Sequence, residues 1–185
     1  MSTEASITIF ISYTREDETL CKELEKHLQA MQRQQLIRIW HERSISAGTD
    51  WAQQISEHLN SAQIILLLIS SDFLASDYRY GFETQLAMER HNNKKALVIP
   101  ILLRPVDLRG TPIARLQALP SNGEPVTSPY WHDFDEALED VARGIGSLAE
   151  MLLTQSGQEL FVHYHEKFMK PHERGSRKTT SYALS

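Results

Sequence analysis

The apolar run Ile64-Ile-Leu-Leu-Leu-Ile69 limits the folds open to this chain more than any other stretch. A strand with one wet face alternates apolar and polar residues. An unbroken, branched run of this length predicts a strand covered on both faces, as in the centre of a parallel sheet. The polarity then switches to Ser70, Ser71 and Asp72, all residues that cap helices. A buried strand feeding a helix marks the carboxyl edge of an α/β sheet, where ligands bind. Beyond it, Glu83 shares a helical stripe with Leu86, Ala87 and Arg90. The stripe is expected to face inward. A carboxylate on it is either paired or working, or is an acid near a helix start stabilised by the helix dipole.

The rest of the chain repeats the pattern. Ile7–Ile11 is a β-branched strand, and the residues from Glu16 to Met31 form an amphipathic helix carrying Leu20, Leu24, His27, Leu28 and Met31 on one stripe. Cys21 beside that stripe reads as a small core residue. Leu36–Trp40 alternates as an edge strand does, and a loop over 41–50 with Gly48 at its tip leads to a helix opening at Trp51. Ala96–Leu103 is a fourth strand, interrupted by Pro100, which argues for a bulge or an edge. A proline-rich connection has a helical turn near 113–116, Pro125-Val126 is a short fifth strand, and the last helix runs from Asp133 to Leu153. Gly144 and Gly146 loosen that helix. Strands alternating with helices predict an α/β fold with a doubly wound, flavodoxin-like parallel sheet, five strands in the order 2-1-3-4-5, and helices on both faces. The crevice at the reversal between strands one and three is then lined by Ser12-Tyr13, by the stretch 70–83, and by the loop 41–50.

Residues 1–155 are expected to form this domain, and residues 156–185 a polar, basic tail with one short helical segment at 160–169. A net charge of −5 argues against a general nucleic-acid binder. The single cysteine rules out a disulfide framework and a cysteine zinc site. His163 and His165 lack further ligands at metal spacing, so no metal is expected. The start MSTEASITIF has no basic n-region or long apolar core, and no apolar run reaches the ~20 residues of a membrane span, so a cytoplasmic protein without membrane contact is expected.

Four ordered segments, IFISYTREDE, IRIWHERSISAGTDWAQQI, AQIILLLISSDFLASDYRYGFE and VIPILLRPVDL, make the chain resemble the Toll/interleukin-1 receptor (TIR) domain family in its bacterial form, from Ile7 to Leu153. Two positions depart from the family pattern. Glu42, preceded by His41, stands where the loop often has aspartate, and Arg79 stands where bacterial members often carry cysteine or the related tryptophan position falls.

The resemblance implies one of two functions. Some TIR domains are scaffolds that bind other TIR domains. Others hydrolyse NAD⁺ to nicotinamide and ADP-ribose or a cyclic isomer, often in bacterial immune defence. NAD⁺ is then the substrate and no cofactor is needed. Glu83, following Ser76, matches the family's catalytic glutamate. Nicotinamide leaves as a neutral ring, so a single carboxylate suffices to stabilise the oxocarbenium-like ribose. Under the resemblance Ser76 orients Glu83 or a ribose hydroxyl, or is simply an N-cap. Ser12 and Tyr13 line the nicotinamide-ribose end. Arg15 or Arg43 meets the diphosphate, or each is a solvated arginine. Trp40 and Trp51 stack on a base or a neighbouring subunit, with core packing as the alternative for Trp40. An assembly loop comprising Arg43, Ser44, Ile45, Ala47, Gly48 and Trp51 is implied to enter a neighbouring subunit. Head-to-tail contacts of that kind build filaments when the rotation does not close. The trigger is expected on a separate sensor protein. A phosphoacceptor or flavin protein of the same fold is disfavoured, because Asp17 and Asp72 are poorly placed for a receiver site and no matching lysine follows strand four.

Overall fold

The computed structural model describes residues 6–154 and Glu159. The tail expectations, including the segment 160–169 and the His163/His165 pair, lie outside the described residues. Four parallel strands, β1 (Ile7–Ser12), β2 (Ile37–His41), β3 (Ile64–Ile69) and β4 (Leu97–Leu102), form one sheet in the order β2-β1-β3-β4. Ile9 pairs with Ile64, and Ile64 with Leu97, so β3 is held on both sides.

Every residue of β3 is buried, for the reason its sequence gives. Ile64, Leu66 and Leu68 enter one core with α1 (Glu18–Arg33) and α5 (Phe134–Thr154), packed against Leu24, Leu28, Leu138 and Val141. Ile65, Leu67 and Ile69 enter a second core with α2 (Trp51–Ser61), α3 (Ser71–Ala75) and α4 (Thr84–Asn92), against Ile55, Leu59, Phe73 and Ala87. Alternate side chains therefore serve opposite faces, and both faces are dry. Each such Leu or Ile contributes about 1.5–3 kcal/mol by burial.

The sheet edge at β4 corrects one expectation. No fifth strand forms at Pro125-Val126 among the described residues. Two short pieces cover the edge instead. Leu119 makes a single parallel bridge with Ile101, and the N–H groups of Val126 and Thr127 donate to the carbonyls of Leu102 (2.8 Å) and Leu103 (3.0 Å). Pro120 and Pro125 have no N–H to offer, and a turn at 120–123 separates the two pieces, so no continuous ladder can run there. Pro100 is accommodated without a bulge. The N–H groups of Leu97 and Leu103 point to β3 and that of Leu102 points outward, so the missing donor of Pro100 falls on the outer side. The glycines of α5 serve packing rather than looseness. A Cβ on Gly144 would lie 2.8 Å from Leu119 side-chain atoms, and one on Gly146 3.1 Å from the sulfur of Met31.

The third helical region is in three parts. Ser70 caps α3, accepting from the Phe73 N–H at 3.1 Å. Ser76 is extended and ends it, then caps a π-helical segment, Asp77–Glu83, by accepting from the Arg79 N–H at 3.2 Å. Helix α4 continues from Thr84. The π segment is a widened turn of the kind often found at functional sites, and it carries both Arg79 and Glu83.

Candidate active site

The site forms where the strand order reverses between β1 and β3. Ser12 is the last residue of β1, and its hydroxyl donates to Oε2 of Glu83. Arg79, one turn before Glu83, donates from Nη1 to the other oxygen, Oε1, at 2.5 Å. Glu83 is 0 % exposed. Burial raises its pKa above the ordinary 4.5, while the Arg79 charge and the two hydrogen bonds pull it down; the burial effect is the larger.

The second amino group of Arg79 is ion-paired with Glu42, just after β2. Glu42 Oε1 in turn accepts from the indole N–H of Trp51, at the start of α2, at 3.0 Å. One polar chain thus runs Ser12–Glu83–Arg79–Glu42–Trp51 and ties β1, the π segment, the loop and α2 together. Three members of that chain, Arg79, Glu42 and Trp51, line a cleft of about 610 Å³ together with residues that include Tyr13, Arg15, Arg43 and Gly48. That volume is within the range of small-molecule sites. Glu83 does not line it, whereas its partner Arg79 does.

The remaining expected site residues divide. Tyr13 is buried at the cleft wall, and burial pushes its hydroxyl up to about 12, so it stays neutral. The Arg43 guanidinium lies 5.4 Å over the Tyr13 ring and is held by Glu18 at 3.2 Å and Glu25 at 2.5 Å, both on α1. Arg15 is exposed on the rim. Ile45 and Ala47 of the loop line the cleft too. Ser44 is not among its lining residues. Ser76 is a cap and makes no hydrogen bond to Glu83. Trp40 is placed apart from the cleft. It stacks between Phe10 (5.3 Å) and His58 (3.9 Å) against the second core, because a residue on β2 next to Ile39 must point to the opposite face of the sheet.

Two things were missed. Arg79 and Glu42 were read only as departures from a pattern, although Arg79 lies four residues before Glu83, the spacing of a helical ion pair. The second is another buried acid. Asp17 is 1 % exposed and accepts from Thr14 (3.0 Å), from Ser70, and from Nε of Arg104 (2.9 Å), whose other end holds Asp72. It fastens the ends of β1, β3 and β4 together beside the site. Among the described residues no group of three or more His, Cys, Asp or Glu side chains is arranged to hold a metal, and no helix is long and apolar enough to cross a membrane.

The TIR domain family profile matches residues 9–140. A protein of Sinorhizobium fredii (strain NBRC 101917 / NGR234) described as "Uncharacterized protein y4lF" is 46% identical over 142 residues, which is 77% of this chain and 43% of that protein, so the chain spans less than half the length of this relative. The crystal structure of the TIR domain of the Toll-related receptor TRR-2 from Hydra magnipapillata is similar over 56% of this chain and 78% of its own, with 21% identity and a TM-score of 0.45.

Proposed function

The chain belongs to the TIR domain family, and from that premise we propose that it is an NAD⁺ glycohydrolase with Glu83 as its catalytic carboxylate. The observation that carries this reading is Glu83 itself, fully buried at the switch point and held by Ser12 and by Arg79, which lines the cleft. A buried carboxylate with two donors is costly unless it has a task or a structural partner, and a buried acid whose pKa is raised at a switch point is a candidate for function.

In this reading the bond between the nicotinamide nitrogen and C1′ of the ribose breaks, and nicotinamide departs neutral with the bonding electrons. Glu83 faces the cationic ribose and stabilises it. Water then attacks C1′ and loses a proton to give ADP-ribose, or the adenine of the same molecule attacks to give a cyclic isomer. Ser12 orients Glu83. Tyr13, with Trp51 opposite, bounds the cleft and receives the nicotinamide or adenine rings by stacking. TIR domains self-associate, and we place the assembly contact on the loop around Gly48, with turnover increasing on assembly, in bacterial immune signalling inside the cell and with a sensor on a separate protein.

A second reading is favoured by one observation. Glu83 is fully buried and does not line the cleft, whereas the loop around Gly48 is exposed. A non-enzymatic adaptor that binds other TIR domains needs only the loop.

The test is incubation of the purified protein, at high concentration, with NAD⁺ while nicotinamide release is followed, with Glu83→Ala in parallel. Release by the wild type alone is the expected result. Equal release by the variant would remove Glu83 from the mechanism, and no release even in the assembled state would leave the adaptor.

A further inference from the structure

Arg79 lines the cleft and is bonded to Glu83, which is fully buried and does not line it. The Arg79 side chain is 15% exposed, with one amino group on Glu83 at 2.5 Å and the other on Glu42. A ribose approaching Glu83 must therefore take the place that Nη1 now fills. Withdrawing Nη1 from Glu83 costs that half of the guanidinium its charged acceptor while Glu42 keeps the other half, which is unfavourable unless another anionic oxygen replaces Glu83. A dinucleotide brings that anion on the same molecule, because its diphosphate is joined to the reacting ribose through C5′. The planar fork of an arginine suits two phosphate oxygens.

The other cations of the cleft are less suited. Arg43 is held by Glu18 and Glu25 and Arg15 is exposed, and neither bonds Glu83, so a diphosphate taken by either would leave Glu83 covered. We propose that Arg79 is the diphosphate-receiving residue: on binding it exchanges Glu83 for the substrate's diphosphate, with Glu42 retaining its other side, so that the substrate itself uncovers the carboxylate. This rests on the dinucleotide reading of the site given above. It gives the site a selectivity. A nucleoside with the same scissile bond and no diphosphate cannot draw Arg79 away from Glu83.

The experiment compares NAD⁺ with nicotinamide riboside as substrates for the full chain, and measures ADP-ribose binding by calorimetry, in the wild type, Arg79→Ala and Arg79→Lys. The expected result is that Arg79→Ala lowers the ratio of kcat/KM for NAD⁺ to that for the riboside at least tenfold, and weakens ADP-ribose binding at least tenfold. Arg79→Lys, which keeps a charge beside Glu83 but not the fork, lies between and carries the test with the same sign if Arg79→Ala does not fold. A merely structural arginine would lower both substrates together and leave the ratio unmoved, which overturns the proposal. If the wild type cleaves neither substrate, the hydrolase reading fails and the calorimetry decides the proposal: ADP-ribose binding that depends on Arg79 supports it, and binding that is absent or independent of Arg79 overturns it.

Discussion

The hydroxyl of Ser12 donates to the carboxylate of Glu83 across 71 residues of sequence, joining the end of β1 to the end of the π segment. This bond and the one from Arg79 oppose the burial that raises the Glu83 pKa above 4.5. A reaction that needs the ionised carboxylate speeds up as pH rises through that raised value. Removing a donor to the ionised form moves the rise to higher pH. Ser12→Ala is therefore expected to displace the acid limb of the kcat/KM profile to higher pH and to lower the rate on that limb about tenfold, the size of one hydrogen bond to a charge. Profiles of nicotinamide release from about pH 5 to 9 check this, using the buried-acid range as a guide. An unmoved limb would mean that Ser12 does not act on the ionisation of Glu83.

Glu83→Gln separates catalysis from stability. The amide keeps the size of the side chain and an oxygen for Ser12, but it cannot carry charge. Loss of a stabilising group of this kind costs about 10²–10³ in rate. The stability effect has a definite sign. The folded pKa of Glu83 is raised, so the folded protein holds this proton more tightly than the unfolded chain. Its contribution to stability is fully present below the ordinary value and is lost as pH rises through the folded one. The variant lacks this term, and its thermal midpoint is expected to fall less than that of the wild type over that interval. Thermal denaturation across the pH range measures it, and parallel curves would contradict the assignment.

Asp17 is expected to serve stability rather than turnover. It accepts from two buried hydroxyls and from Arg104, and it binds three strand ends together. Asp17→Ala leaves the Thr14 and Ser70 hydroxyls without their acceptor, while Arg104 keeps Asp72. Losing acceptors for buried donors costs about 1–3 kcal/mol each, and the part-exposed Arg104 adds little, so a loss of about 2–6 kcal/mol is expected. Urea denaturation with an unchanged slope and a lower midpoint would show this. A variant as stable as the wild type would mean that the strand ends do not depend on this acid.

Much of this arrangement was legible in the sequence because it follows from patterns with a fixed period. The run 64–69 gave the central strand, and the stripe of Glu83, Ala87 and Leu86 gave the side of the helix that turns inward. What failed was non-local or depended on backbone detail. The fifth strand was lost to Pro120 and Pro125, whose missing donors matter only once β4 is known to be the edge. For Trp40 stacking on a ligand and core packing both stay open in the sequence, because nothing in an alternating strand says which face meets the cleft; the structure packs it on the second core. Arg79 was legible as a helical neighbour of Glu83, but its second partner, Glu42, comes from a separate loop. Asp17 depends on Arg104, 87 residues away, a pairing that no spacing rule reports.

The loop around Gly48 offers a last test, because there fold and assembly come apart. Gly48 has φ +86°, a conformation that L side chains rarely adopt, yet an added Cβ would meet nothing within 4 Å. The cost of Gly48→Ala is therefore backbone strain alone, about 1–2 kcal/mol. The root of the loop stays fixed to α1 through Arg43 with Glu18 and Glu25, and its far end is fixed by Asp50, which accepts from the Gln53 N–H at 3.0 Å as the cap of α2. Strain at the tip therefore reshapes the tip without unfolding the domain. Gly48→Pro is the stronger change, since proline holds φ near −65° and cannot occupy this position at all. For both variants the thermal midpoint is expected to fall only slightly, while self-association measured by sedimentation weakens, more for Pro than for Ala. If turnover depends on assembly, nicotinamide release falls in the same order and recovers as protein concentration is raised. Undiminished association of Gly48→Pro would exclude the loop tip as the contact, whatever the fate of the enzymatic reading.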